Sequence, residues 1–104
     1  MTTKFDRYGW VDTDLDEVRA SVSLRLNLAF DQHWSDEWGG QYWSTGLSTM
    51  PSVDLVRNFE DEDGVLLEDT RPELTVVLDS TGLTQDQCDI LESLGGQLLN
   101  SSII

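Results

Sequence analysis

Positive charge is scarce in this chain of 104 residues. Six Lys+Arg stand against twenty Asp+Glu, a formal net charge of −14. That balance argues against direct contact with nucleic acid, whose phosphates call for Lys and Arg, and against docking on anionic membranes. Cysteine occurs once, at Cys88, so no intramolecular disulfide can form. Histidine also occurs once, at His33. No apolar run approaches the ~18 residues of a membrane span. The opening "MTTKFDRYGW" has no apolar stretch of the kind that marks a secretory signal. These absences point to a cytoplasmic protein.

The chemistry of catalysis is equally thin. A serine triad would have to recruit His33, yet no G-x-S-x-G elbow occurs. A Cys–His pair would need Cys88 and His33 to meet in space, and Cys88 falls at an apolar-leaning helix position. "WGGQYW" lacks the Lys and Ser/Thr of a phosphate loop and the spacing of a dinucleotide turn. "EDEDG" misses the EF-hand register: counted from Gly64, Phe59 stands at the first ligand position and Thr70 where the terminal Glu belongs. One imidazole without a thiolate or a second imidazole makes a poor closed zinc site, even beside Asp31, Asp36 or Glu37. Carboxylate pairs are so numerous that a glycosidase-like separation would arise by chance. The reading is therefore a protein that is not an enzyme and has neither cofactor nor dedicated metal.

What is present fits one compact domain over residues 1–104. A chain of this size buries roughly two thirds of the surface it exposes when unfolded, enough for one core. "TDLDEVRASVSLRLNLAF" predicts a first helix over 13–31, with Leu15, Val18, Val22, Leu26 and Ala29 on one stripe. Thr13 is the expected N-cap, and Asp14, Asp16 and Glu17 suit the positive end of the helix dipole. Leu24 and Leu28 lie off the stripe, which predicts cover on more than one side. Short strands are expected at "FDRYGWV", 41–45, 53–59 and 73–80. A last helix begins near Thr84, its N-cap, with Ile90, Leu91, Leu94 and Cys88 facing inward and Gly95-Gly96 stopping it. The expected fold is α+β, a small antiparallel sheet of three or four strands with two helices packed on it.

Charge and aromatics are unevenly spread. Residues 1–59 carry nine acids and five Lys/Arg, whereas residues 60–104 carry eleven acids and Arg71 alone. Seven of those acids fall between Glu60 and Glu73, a pattern usual for a solvated loop. Val65, Leu66 and Leu67 are placed to pin its middle to the core. "HWSDEWGGQYWSTG" gathers three of the four tryptophans. If the first helix continues, Trp34 and Trp38 project from one face, while alternation sends Tyr42 and Trp43 to opposite faces of a strand. Trp34 and Trp38 are the expected exposed pair and Trp43 the core member. The competing reading is that all of them fill the helix–sheet junction.

"YGWVDTDLDEVR" (Tyr8–Arg19), "DEWGGQYW" (Asp36–Trp43) and "RNFED" (Arg57–Asp61) together resemble small acidic immunity proteins of bacterial polymorphic-toxin and contact-dependent growth-inhibition systems. The resemblance spans roughly residues 8 to 61. It implies a protein that binds the toxin domain of its own cell, one-to-one, and covers its active site. A nuclease toxin must be basic where it holds phosphates, so acids are suited to it. The expected contacts are Trp34, Asp36, Glu37 and Trp38, with Glu60, Asp61, Glu62, Asp63, Glu68 and Asp69 as a second patch. An acidic nucleic-acid mimic and a small metal-binding regulator are the alternatives.

Overall fold

The computed structural model describes residues 3–36, 40–46, 50–60 and 63–103. The elements are β1 (Lys4–Val11), α1 (Leu15–Leu26), β2 (Asp31–Ser35), β3 (Gly40–Ser44), β4 (Ser52–Arg57), β5 (Leu74–Thr81), α2 (Gln85–Ser93) and β6 (Gln97–Ile103). All strands join one antiparallel sheet in the order β2-β3-β4-β5-β1-β6. The fold is α+β with two helices, as the sequence predicts. The sheet has six strands, not three or four, because β2 and β6 extend it at its two edges.

The first helix is shorter than its apolar pattern suggests. Asp14, not Thr13, is the N-cap: its side chain accepts from the Glu17 N–H at 2.9 Å. Thr13 instead turns its hydroxyl back to the Val11 carbonyl. The helix stops at Leu26 because Asn27 adopts a left-handed conformation, φ 54°. Asn is one of the few non-glycine residues that does so cheaply. The Asn27 and Leu28 N–H groups both return to the Ser23 carbonyl. Leu15, Val18, Val22 and Leu26 are buried as the spacing predicts, while Ala29 lies beyond the helix and is exposed. Leu24 is 80% exposed, so cover on a second side fails at that position.

α2 matches its reading closely. Thr84 and Gln87 form a reciprocal capping box, and Cys88 and Leu91 are buried. The helix ends at Ser93; Gly95 beyond it takes φ 95°, and the Gly96 N–H returns to the Leu91 carbonyl at 3.0 Å. A side chain at Gly96 would meet the Trp10 ring at 2.8 Å and that same carbonyl at 2.9 Å. Only hydrogen fits where the chain turns from helix to edge strand.

Alternation along the strands builds two unlike faces. Tyr8 and Trp10 of β1, Val53 and Leu55 of β4, and Val76 and Leu78 of β5 face the helices and form the main core with their buried stripes. The other face is apolar at its centre, with Val56 2% and Val77 0% exposed. The β4–β5 connection closes over it. The Asn58 amide donates to the carbonyls of Glu68, Arg71 and Leu74, and its oxygen accepts from the Glu68 N–H at 2.8 Å. Leu66 and Leu67 are half-buried there, whereas Val65 is exposed. This acid-rich connection is therefore anchored over the sheet in its middle, as expected of Leu66 and Leu67 but not of Val65.

Candidate functional site: an acid-rich end of the sheet

Strand direction decides where the charges gather. β1, β2 and β4 run one way and β3, β5 and β6 the other. One end of the sheet therefore holds the connection from β1 to α1, the turn from β2 to β3, and both ends of the β4–β5 connection. Asp12 and Asp14 belong to the first, with Asp16 and Glu17 in the turn of α1 that follows it; Asp36 opens the second, and Glu60, Asp63, Asp69 and Glu73 belong to the third. Segments remote in sequence thus present carboxylates at a common end.

On the helix side of that end lies a groove of ≈ 590 Å³. It is lined by Asp12, Thr13, Asp14, Asp16, Glu17 and Arg57, with Leu15 and Thr75. Thr75 fixes its floor: the hydroxyl donates to the Thr13 carbonyl at 2.5 Å. Asp16 accepts from the Trp43 indole N–H at 3.2 Å. Arg57 donates to the Gln41 carbonyl at 3.1 Å, and Gln41 pairs with Trp34 across the β2–β3 ladder. The groove and the β2 edge are joined through this row. The acids of the first helical turn line this groove, and the sequence reading used them only as helix-end charges. Their clustering before "VRASV" was the available signal.

Trp34 is not on a helix. It lies on edge strand β2 and is 74% exposed, as expected of one of the outward tryptophans. Its ring passes over Gly40, where a Cβ would come within 3.3 Å. An aromatic laid across a sheet glycine shields that backbone from water. His33 stacks on Tyr42 with ring centroids 5.3 Å apart. Trp43 is half-buried against the core, with the Arg19 guanidinium 4.7 Å from its ring centroid. Asp36 is exposed. Glu37 and Trp38 lie outside the described residues, as do Asp61 and Glu62.

The second predicted patch divides. Glu60, Asp63 and Asp69 are exposed. Glu68 is turned inward: Arg7 holds it at 3.0 Å and chelates Asp79 through two bonds of 2.6 and 3.0 Å. A hydrogen bond from Thr70, and then Arg7, hold the Glu68 carboxyl below the usual carboxylate range. Arg71 bonds Glu73 and reaches Gln97. Hydrogen bonding from Arg71 lowers Glu73 as well. Three of the six cations, Lys4, Arg7 and Arg71, are thus held in ion pairs within the molecule. Among the described residues none of Asp12, Asp14, Asp16, Glu17, Asp36, Glu60 and Asp69 is in an ion pair.

The nucleophile candidates do not meet. Cys88 is buried beneath α2 against Asp6 of β1, while His33 is on β2, four strands across the sheet. That is about 19 Å at ordinary strand spacing. Among the described residues no group of three or more His, Cys, Asp or Glu is arranged to hold a metal ion, and no helix is long and apolar enough to cross a membrane. Comparison with protein families, with curated proteins and with solved structures finds no match to this chain.

Proposed function

We propose that the chain is an immunity protein that binds a basic toxin domain, a nuclease in the form favoured by charge, and covers its active site. The observation that carries this reading is the acid-rich end of the sheet, with exposed Trp34 on the adjoining edge. Interfaces draw most of their energy from a few aromatic and Arg anchors, with charge setting orientation and encounter rate. Trp34 supplies an anchor. Asp36 and the acids of the groove supply carboxylates for the Lys, Arg and His that a nuclease uses on phosphate. Glu37 and Trp38 belong to the same turn by sequence. Glu60, Asp63 and Asp69, with Asp61 and Glu62 between them in sequence, form the second contact. Glu68 acts through Arg7 to hold that connection down.

The test is binding to the toxin domain encoded beside this chain, by surface-bound kinetics over a range of salt. Trp34→Ala weakens binding about thirtyfold, the scale of a moderate anchor residue. Asp16→Asn with Glu17→Gln, and separately neutralisation of Glu60, Asp63 and Asp69, slow association and flatten its salt dependence. Unchanged affinity and salt slope in all three variants would sink the proposal.

A further inference from the structure

A second, smaller cleft of ≈ 90 Å³ lies beside the acid-lined groove, where α1 passes the C-terminal end of α2. The two cavities share Thr13 and Glu17. Trp10, Val18, Val22 and Leu94 give the small cleft its apolar wall, and exposed Ser21 stands at its rim. Glu17 and Ser21 are four apart on α1 and so adjoin on one helix face. Ser21 is too small to close the cleft. Nothing in its depth suits a charge. The Leu94 carbonyl already accepts from the Trp10 indole N–H at 3.2 Å. A cation pushed among these side chains would lose its water without gaining an acceptor. An aliphatic side chain would bury apolar surface there instead.

We infer that this cleft is an anchor pocket for a basic protein partner, and that it takes an aliphatic side chain flanked in the partner's sequence by Lys or Arg. The inference rests on the reading of the acid-rich end as the surface for such a partner. Charge selects the occupant. Asp14 and Asp16 line the groove that continues from the cleft, and Glu17 lines both. A cation next to the anchor therefore lands among carboxylates that, among the described residues, no cation of this chain holds in an ion pair. Arg57, also on the groove's wall, donates to the Gln41 carbonyl instead. A second copy of this chain brings acids to acids and is repelled. Size selects as well. The cleft is smaller than the ~150 Å³ cavity that holds benzene, so an aliphatic side chain fits and an aromatic ring does not.

The test uses the full chain, isotope-labelled for NMR, and short peptides at low salt. Titration with acetyl-Leu-Arg-Lys-amide shifts the amide resonances of Ser21 and Leu94 and the indole N–H resonance of Trp10. Acetyl-Ser-Arg-Lys-amide, which lacks the aliphatic anchor, binds about tenfold more weakly. Acetyl-Leu-Glu-Glu-amide does not bind. Ser21→Leu suits an exposed helix position. It fills the cleft from its own wall and weakens the first peptide about tenfold, with the salt dependence unchanged. Glu17→Gln weakens the same peptide and flattens its salt dependence. The inference is overturned if the three resonances stay still at millimolar peptide, if the Leu and Ser peptides bind alike, or if the acidic peptide binds as well as the basic one. Shifts that follow the concentration of the chain alone give the cleft to a second copy and overturn it too. The toxin domain separates this inference from the reading beneath it. A toxin that binds but ignores Ser21→Leu removes the cleft alone. One that never binds, with the peptide results intact, removes the immunity reading alone.

Discussion

At the scale of single residues, Arg7 has the largest local consequence. Its guanidinium is 22% exposed and serves two carboxylates from different elements, Asp79 on β5 and Glu68 on the connection over the second face. Arg7→Ala leaves both acids half-buried without a cation. The expected loss is about 2 kcal/mol, between the value for a surface pair and that for a buried one, read by urea unfolding at neutral pH. Because the folded Glu68 carboxyl is held low, the unfolded chain binds its proton first. The stability it adds is present above the ordinary carboxylate range and is lost as pH falls through the folded value. Glu68→Gln consequently flattens the acid side of the stability profile. Tyr8 behaves in the reverse sense. Burial, then Cys88, push its phenol well up. Its stabilising effect is full below the ordinary tyrosine range near ~10 and is lost as pH rises above it. Tyr8→Phe therefore shifts alkaline unfolding to higher pH, and stopped-flow tyrosinate absorbance on wild type shows ionisation arriving together with unfolding. Of these contacts the sequence disclosed little. Arg7, Asp79 and Glu68 are far apart in the chain, and only strand register brings them together.

At the scale of elements, the two helices were legible because their period and caps agree. The α1 stripe and the Thr84 capping box are local signals, and local signals survive folding. The edge strands were not legible. All of β2 but Ser35 is exposed, so there is no alternation to detect, and in the sequence Trp34 precedes Trp38 by four, a spacing that imitates a helix. β6 follows Gly95-Gly96 and resembles a polar tail, with Leu98 and Leu99 adjacent and not alternating. What makes each a strand is the neighbour it pairs with. The corner leading into β6 gives a sharp test. Gly96→Ala forces a methyl against the Trp10 ring and the Leu91 carbonyl. Overpacking of this kind costs about 1–3 kcal/mol, and the loss is expected with altered Trp10 fluorescence. Thr84→Ala, which removes only a cap, costs about 1 kcal/mol by the same melts.

At the scale of the whole molecule, the charge of −14 acts on every part at once. The sequence made its size plain but not its place, since the acid-rich end appears only when strand direction is known. Self-repulsion strains the compact state. Modest sodium chloride, which screens exposed charges beyond about 10 Å at 0.1 M, is expected to raise the melting temperature, as calorimetry can show. A melting temperature that falls with salt would mean that the internal ion pairs outweigh the surface field.

The position of β1 carries a consequence for how the chain is made. β1, first of the described strands in chain order, lies fifth in the sheet, between β5 and β6. Phe5 pairs with Thr81, and Lys4 with Ile103. Contacts so distant along the chain must close large loops before they repay the cost, so folding belongs to the slow millisecond-to-second class. On the ribosome, Phe5, Tyr8 and Trp10 are made long before β5 and β6, the strands that receive them. β1 can take its place in the sheet only once both β5 and β6 have been made.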